Sequence, residues 1–481
     1  MNKPMPGWAA LLLGALLLGV PGGGWAGEAK LLQLIGYLRD NGSLTQAQYE
    51  LLTEAARTPD EAAPPPSDPP PTAKPGFSEH SAASQTPAIT THQAEAAPSK
   101  NSRETTPKGG RSDVKGVEIK TKGGIKVTSG DGDFQAKLGG RIMADAVFAN
   151  DDQTDLLDGT EFRRVRLHLK GRLYDDWTFK SQIEFSDNEV DLKDMWLGYD
   201  GWERFGLQMG QFKTPFSLEE STSSKYITFM ERAMPNELAP GYGIGVNLSS
   251  HGDNWFWGGA LFGEDADSGD DRNEAWGVSS RLAWAPVLAE GRVLHLGLGL
   301  AWLDNDDGEV SFGPHPDAHM IPALIEAEMM DVDHHSLLGL EAALVWGAFS
   351  LQGEAIWADV KRDLNPTASL NGAYGYASWF LTGESRLYEG DAGEFGRVKP
   401  ERDFNLDQGG FGAWELAARY SLMDLNDVGV AGGEEDNITL GLNWYLNPQI
   451  RLMANYILVD TDEVAGNDDP DIFQMRMQVD F

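Results

Sequence analysis

The sequence contains no cysteine, and its 38 Lys and Arg residues are outnumbered by 74 Asp and Glu among 481 residues. The lack of cysteine excludes disulfide frameworks, thiol catalysis and thiolate metal sites. The formal net charge of -36 argues against a nucleic-acid partner, because such partners are bound by clustered cations. No long apolar run follows the first segment, which excludes helical membrane spans.

Enzyme motifs are also missing. No nucleophile elbow, phosphate loop or paired-histidine pattern occurs, so no catalytic residue and no enzyme activity are predicted. His315, Asp317 and His319, with His334 and His335, could bind a metal ion. They lie in a long loop without fixed geometry, so neither a metal site nor a cofactor is predicted.

The last segment of the chain alternates strictly between apolar and polar residues. Phe473, Met475, Met477, Val479 and Phe481 are apolar, and every residue between them is polar. This period of two predicts a strand with one apolar face, long enough to cross a membrane at a tilt. A membrane barrel closes by pairing its last strand with its first, which we favour over an edge strand of a soluble sandwich.

The same period continues from about Val114 to the end, which predicts an all-β fold. The expected architecture is a sixteen-stranded antiparallel transmembrane β-barrel over residues 114–481, since even strand numbers are typical of single-chain porins. The predicted strands are 134–148, 162–170, 177–185, 191–199, 205–211, 243–248, 255–262, 276–284, 294–302, 337–346, 349–357, 374–381, 414–422, 438–446, 450–458 and the terminal segment.

Three segments precede the predicted barrel. Residues 1–26 have the basic start, short apolar run and small residues of a secretory signal peptide, which we favour over a retained anchor helix. Residues 27–57 show helical periodicity and predict a short periplasmic hairpin for oligomerisation, with a frayed pair of helices as an equal alternative. Residues 58–113 are rich in Pro, Ala and Ser and predict a disordered linker.

The connections between predicted strands alternate in length. Tight turns are expected at 174–176, 347–348 and 447–448, and long acidic loops at 150–159, 263–274, 304–333 and 460–471. This predicts short turns at one end of the barrel and long loops facing the cell exterior at the other. Residues 212–232 form a connection too apolar for water, so we expect it to fold into the lumen; a surface cap is the alternative.

Motifs along the whole predicted barrel resemble those of the phosphate-selective porins O and P. The resemblance rests on residues 118–124, 137–141, 162–164, 210–216, 222–225, 231–232, 381–388 and 412–416. It implies a homotrimer of sixteen-stranded channels in the Gram-negative outer membrane, with the third loop inside. It also implies a constriction whose arginines strip water from anions and pass them.

The resemblance assigns residues to this constriction. Arg141, Arg163 and Arg164 match the family's constriction arginines, and Asp194 stands where the family places their acidic partner. Further matched positions lie near or in the inward loop; they are Lys213, Ser223, Ser224, Lys225 and Arg232. Phosphate-binding members carry a lysine where this chain has Glu220, and a carboxylate there would repel an oxyanion.

Strand parity gives an independent prediction of the lumen. Arg141, Arg164 and Arg166 fall on polar faces, whereas Arg163 needs a rim or a bulge to reach the interior. Other lumen-parity cations are Lys180, Arg281, Arg419, Arg451 and Arg476. Rings of cations suit anion pores. Alternatively these arginines pair with carboxylates across strands; the candidates are Glu184, Glu354 and Glu415.

The sequence therefore predicts an outer-membrane porin that passes small anions, such as phosphate or polyphosphate, through an arginine-lined constriction. The expected partners are these anions, membrane lipid, lipopolysaccharide and further copies of the chain. Two alternatives stay open. One is a weakly selective porin for other small solutes, favoured by Glu220 and the net charge. The other is an envelope tether acting through the N-terminal hairpin.

Overall fold

The computed structural model describes residues 116–121, 123–186, 189–266, 275–305, 308–462 and 466–481. The predicted signal peptide (1–26), helical hairpin (27–57) and linker (58–113) lie outside the described residues. Their assignments, and the idea of an envelope tether, therefore stay predictions.

Sixteen strands form one closed antiparallel sheet. In chain order they are β1 (Phe134–Asn150), β2 (Gly159–Leu173), β3 (Trp177–Glu184), β4 (Asp191–Tyr199), β5 (Gly206–Lys213), β6 (Tyr242–Gly252), β7 (Trp255–Gly263), β8 (Trp276–Ala289), β9 (Arg292–Asp304), β10 (Val332–Trp346), β11 (Phe349–Arg362), β12 (Ala368–Phe380), β13 (Ala413–Asp427), β14 (Val430–Asn447), β15 (Ile450–Asp462) and β16 (Asp471–Asp480). Each pairs with the next, and β16 pairs with β1, where Phe473 lies opposite Phe148.

The predicted barrel is confirmed, with one strand for each predicted strand. Several strands extend further than their apolar pattern, because a polar interior accepts polar residues. The prediction for β14 began at Ile438, but the strand begins at Val430 and places the Glu435 side chain inside the barrel, fully buried. Alternation of orientation, rather than hydrophobicity, decides where such a strand ends.

Burial is inverted relative to a soluble protein. Outward side chains such as Phe148, Leu296 and Leu440 are about half exposed, whereas inward Arg281 and Arg419 are almost completely buried. Trp414 and Trp444 stack on neighbouring strands with ring centroids 4.8 Å apart. An outward apolar band around a polar interior is the pattern of an outer-membrane barrel.

Small elements decorate the barrel. Strands Glu118–Lys120 and Ile125–Thr128 form a hairpin that pairs with the start of β1. Two further short pairs are Glu309–Phe312 with Ala327–Met330, and Tyr388–Glu389 with Glu394–Phe395. The helices are short: α1 (Leu218–Ser221) and the 3₁₀ turns Met234–Leu238 and Leu406–Gln408. Within the described ranges, no helix has the length and apolar character to cross a membrane.

One connection corrects the predicted separation of short turns from long loops. The end of the barrel that holds Phe481, here called the C-terminal end, has tight turns at 174–176, 253–254, 290–291, 347–348 and 448–449. The same end also carries residues 381–412, a long segment between β12 and β13. Its Tyr388 and Phe395 are buried against Leu218 and Val293. These aromatic side chains draw the segment inward, which the spacing of turns did not reveal.

Candidate functional site

The third loop, residues 214–241 between β5 and β6, contacts walls all around the barrel. Its backbone or side chains bond with Arg141 on β1, Glu354 on β11 and Arg451 on β15. Contacts with strands so far apart in a closed sheet can be made only from inside it. These contacts favour the predicted inward fold of the third loop over a surface cap.

Apolar side chains explain why this loop is buried and not exposed to water. Phe216, Leu218 and Phe229 are completely buried. Phe216 packs where β9 and β10 carry Gly299 and Gly339; a Cβ on Gly299 would lie 2.4 Å from the Phe216 carbonyl oxygen. The absent side chains thus make room for the loop backbone to approach the wall.

A buried carboxylate anchors the first part of the loop. Glu354 accepts hydrogen bonds from the backbone N–H groups of Leu218 (2.9 Å) and Glu219 (2.7 Å) and from the Tyr374 hydroxyl (2.6 Å). Glu354 and Glu415 were both predicted as candidate partners of the lumen arginines. This expectation is wrong for both residues. For Glu354 the reason is that its carboxylate accepts hydrogen bonds from the N–H groups at the start of α1, which have no partner within the helix.

Glu231 joins three arginines at the far part of the loop. Its carboxylate lies 3.1 Å from Arg163 Nε, 3.1 Å from Arg164 Nη2 and 2.5 Å from Arg476 Nη2. Arg476 also donates to Asp145 at 2.7 and 2.6 Å. Burial opposes ionisation of Glu231, but the arginines outweigh it and hold its pKa well below the usual range.

A bulge brings Arg163 into this cluster. The pairing of β1 with β2 shifts register between Met143 and Asp145, opposite Arg164 and Glu161. The extra residues on β2 turn Arg163 away from the outer face that strict alternation would give it. Sequence parity required a rim or a bulge here, and the structure contains the bulge.

Arg141 and Lys225 lie next to each other on the opposite part of the loop. Arg141 Nη1 donates to the Ser224 hydroxyl at 2.5 Å, and Lys225 Nζ is 3.9 Å from Asp480. Burial and then the charge of Arg141 lower the pKa of Lys225 to about 7. Ser223 is half-buried, and its carbonyl accepts the Tyr226 N–H at 2.8 Å.

Glu220 is neutralised by the loop's own cations. Its carboxylate lies 2.5 Å from Lys213 Nζ and 2.9 Å from Arg232 Nε. Burial favours the neutral acid, but Arg232 and Lys213 prevail and lower the pKa of Glu220 to about 2. Lys213 and Arg232, both assigned to the constriction, thus compensate the carboxylate that replaces the family's lysine.

Asp194 does not hold the constriction arginines, contrary to expectation. It pairs with Lys180 at 2.7 Å and accepts from the Trp196 indole at 3.2 Å. A register shift between β3 and β4 directs Asp194 toward β3, which stands between it and the arginines of β2. Arg166 instead pairs with Glu184 across β2 and β3, as the cross-strand alternative predicted.

Two predicted lumen cations are held in structural ion pairs. Arg281 donates to Glu341 through two bonds of 2.8 Å and to the Gly393 carbonyl. Arg419 Nη2 lies 2.8 Å from Asp317 in the connection between β9 and β10. Both face the lumen as their parity predicts. They fasten inward segments to the wall rather than line an open passage.

The histidine region forms no metal centre in the described part of the chain, where no group of three suitable ligands occurs. Asp317 instead accepts from the hydroxyls of Ser421 (3.1 Å) and Thr439 (2.9 Å). His319 pairs with Glu161 at 3.0 Å, and His335 contacts Asn305. These contacts hold the long connection against the wall.

Cations exceed carboxylates along the third loop. The cations of the loop, or bonded directly to it, are Arg141, Arg163, Arg164, Lys213, Lys225, Arg232, Arg397, Arg419, Arg451 and Arg476. The carboxylates of the loop, or bonded directly to it, are Glu219, Glu220, Glu231, Glu237, Glu354 and Asp480. The interior is therefore positive there, although the whole chain carries -36.

The positive region continues toward the C-terminal end. A cavity of about 1120 Å³ opens there between β1, segment 381–412 and the turn before β15. Its lining includes Lys137, Arg397, Lys399 and Arg402, with Asp403 as the acidic side chain. Arg397 connects this cavity with the third loop, because it also bonds the Tyr226 hydroxyl.

Sequence reasoning missed several members of the site. Asp145 and Asp480 lie at lumen parity and could have been found, because Asp480 alternates with the apolar residues of the terminal strand. Glu231 was seen only as part of a motif. Arg397 gave no local signal, since it lies in a long connection whose inward course depends on tertiary contacts.

Comparison with known proteins now decides the family. The family model for phosphate-selective porin O and P matches residues 136–481. The chain belongs to this family. Porin O of Pseudomonas aeruginosa is 30% identical over 414 residues, covering 75% of this chain and 92% of that protein. An uncharacterized protein of Caulobacter vibrioides is 32% identical over 393 residues, covering 76% of this chain and 77% of its own.

Solved structures include barrels with low sequence identity. The anion-selective porin from Comamonas acidovorans is 14% identical, with a TM-score of 0.48 over 72% of this chain and 100% of that one. The trimer form of OmpT from Vibrio cholerae is 11% identical, with a TM-score of 0.48 over 72% and 99%. Family membership and the closed barrel establish an outer-membrane porin and point to a channel rather than an enzyme.

Proposed function

We propose that this porin passes small oxyanions, phosphate and short polyphosphate among them, through the interior crossed by the third loop. The observation that carries the proposal is the excess of cations over carboxylates around that loop. Fixed positive charge in a narrow, partly desolvated passage replaces part of the hydration of an anion. Membership of the phosphate-selective porin O and P family supports this class of solute.

The pair of Arg141 and Lys225 suits a phosphate group. The Arg141 guanidinium bonds the Ser224 hydroxyl, and Lys225, the next residue of the loop, supplies an ammonium. Charge-assisted hydrogen bonds to phosphate are about twice as strong as neutral ones. Glu220 does not weaken the proposal, because Lys213 and Arg232 already neutralise it.

Lys225 is expected to make chloride selectivity depend on pH. Its pKa of about 7 means that it is charged in acid and neutral in base. We expect the chloride-to-potassium permeability ratio to fall between about pH 6 and pH 8, one unit either side of that pKa. Planar-bilayer reversal potentials measure this ratio, and chloride itself does not titrate.

The matched variants for this pH profile are Lys225→Met and Lys361→Met. Lys361 is an exposed lysine on β11. The profile should become shallower in Lys225→Met, where Glu237 of the same loop still titrates with a pKa of about 7, and should persist unchanged in Lys361→Met. A profile unchanged in Lys225→Met would contradict a role for this ammonium.

The alternative of a weakly selective porin for other solutes is favoured by the acidic loops and the net charge. Added phosphate separates the two. If phosphate occupies a site in the passage, it should block chloride current at concentrations well below those of the background salt. An indifferent current would favour the weakly selective porin.

We also propose a homotrimer whose contacts lie on a low wall formed by β3, β4 and β5. These strands have 8, 9 and 8 residues, whereas β14 has 18. A membrane-spanning strand needs about 9–11 residues, so this wall is short for lipid and suits a protein neighbour. Lipid and lipopolysaccharide would contact the taller walls.

An arginine on the low wall is expected to dissociate the trimer. Leu197→Arg on β4 places an unpaired charge in the proposed interface, whereas Leu296→Arg on β9 places it on the tall wall. Light scattering of detergent-solubilised protein should report monomers for the first variant and trimers for the second. Equal behaviour of the two variants would contradict this interface.

A further inference from the structure

Arg397 links three parts of the lumen. It lies in segment 381–412, and its guanidinium bonds both carboxylate oxygens of Asp480, with 3.0 Å between Nη1 and Oδ1. It also donates to the Tyr226 hydroxyl at 3.1 Å and to the Pro448 carbonyl. One side chain thus joins the C-terminal-end segment, the last strand and the third loop.

Asp480 is the carboxylate nearest to Lys225. It is the last residue of β16, lies opposite Arg141 in the strand register and is almost completely buried. The Lys225 ammonium stands 3.9 Å from Asp480 Oδ2, beyond the 2.7–2.9 Å or so of a charge-assisted hydrogen bond. Lys225 is therefore close to this carboxylate without being hydrogen-bonded to it.

We propose that Arg397 is a specificity-determining residue, which occupies Asp480 and thereby leaves the Lys225 ammonium available to a passing anion. The inference rests on the proposed anion passage. Its new content is a positioning role for a residue outside the third loop. Arg397 acts on the anion through Asp480 and Lys225, not by touching it.

The geometry gives the mechanism. A bidentate guanidinium uses both oxygens of a carboxylate in a fixed plane. Without Arg397, the flexible Lys225 chain needs to move its ammonium by only about an ångström to form a full ion pair with Asp480. That pair would take a cation from the passage. The Tyr226 ring contacts both cations, with its centroid 5.1 Å from Lys225 Nζ and 5.2 Å from the Arg397 guanidinium.

A double-mutant cycle tests this role against a simple effect of net charge. The four proteins are wild type, Arg397→Gln, Lys225→Met and the double variant, each as the full porin in planar bilayers. The readouts are chloride selectivity and the concentration of inorganic phosphate that halves the current. Because the passing anion would lose one charge-assisted contact, the phosphate concentration that halves the current should be about tenfold higher in Arg397→Gln than in wild type.

The expected result is strong coupling. Arg397→Gln should weaken anion selectivity in the wild-type background and change nothing further in the Lys225→Met background. Arg397→Lys keeps the charge but cannot occupy both Asp480 oxygens, so it should show an intermediate loss. Unchanged thermal unfolding across the four proteins would show that the barrel itself is intact.

Two results would overturn the inference. Equal effects of Arg397→Gln in both backgrounds would mean that Arg397 acts only as one more positive charge. No effect in either background would mean that Lys225 does not move to Asp480. A wild-type channel without anion selectivity would refute the proposed function itself, and this is read before any variant is compared.

Discussion

Glu231→Gln is expected to release the third loop from the wall while the barrel stays closed. The carboxylate is shared by Arg163, Arg164 and Arg476, and its loss leaves three neighbouring guanidiniums that repel one another. Removing one partner of a buried pair costs about 3–5 kcal/mol. Because loop residues 214–217 and α1 keep their Glu354 anchor, we expect a local loss centred on residues 227–232.

Hydrogen exchange measures this local loss. Amides of residues 227–232 should exchange at least about 100-fold faster in the variant, which corresponds to roughly 3 kcal/mol of local opening energy. Single-channel conductance should rise, since a released loop obstructs the lumen less. Strand amides should keep their protection.

Glu237→Gln is the matched control, because Glu237 is a carboxylate of the same loop. Burial raises its pKa to about 7, so it is about half ionised at neutral pH, and the arginines of the cluster bond Glu231 instead. Exchange in residues 227–232 should stay at the wild-type rate. Equal acceleration in both variants, or none in Glu231→Gln, would show that Glu231 is not the anchor.

Arg141→Glu is expected to give the largest loss of phosphate affinity, about 100-fold or more, because one charge-assisted contact is lost and a repulsion is added. The guanidinium of Arg141 bonds Ser224, while the nearby carboxylates are engaged elsewhere: Glu184 by Arg166 and Asp480 by Arg397. Phosphate block of single-channel current in planar bilayers measures the affinity.

Arg172→Glu provides the matched charge reversal. Arg172 lies on β2, which carries Arg163 and Arg164 and pairs with the strand of Arg141, but it is near the C-terminal end and about half exposed beside Asp200. Solvent screens this position, so the block should change less than about threefold. Similar losses in both variants would place the selectivity in the overall field of the channel and not at Arg141.

The sequence predicts the barrel because alternation is a local signal. Phe473 and Phe148 occupy outward positions on β16 and β1, and their pairing closes the sheet as the terminal pattern indicated. Strand ends were less predictable. Strand β14 extends over a polar stretch that includes Glu435, because the polar interior of the barrel accommodates a carboxylate side chain.

The local sequence pattern did not predict which charged residues of the site pair with one another. Parity placed Arg141 and Arg166 inside, and the need for a bulge at Arg163 was visible from the sequence. Which carboxylate each cation meets depends on register shifts and on the course of long connections. A single shift directs Asp194 to Lys180, and the inward course of segment 381–412 brings Arg397 to Asp480.

The reversal potential of the purified wild-type channel under a potassium chloride gradient tests the central claim most directly. An excess of cations around the third loop predicts a reversal potential shifted toward the equilibrium potential of chloride. It also predicts a current that added phosphate blocks. A reversal potential shifted toward the equilibrium potential of potassium, with a current that phosphate does not block, would contradict the account. It would show that the acidic loops, rather than the arginines of the lumen, set the selectivity.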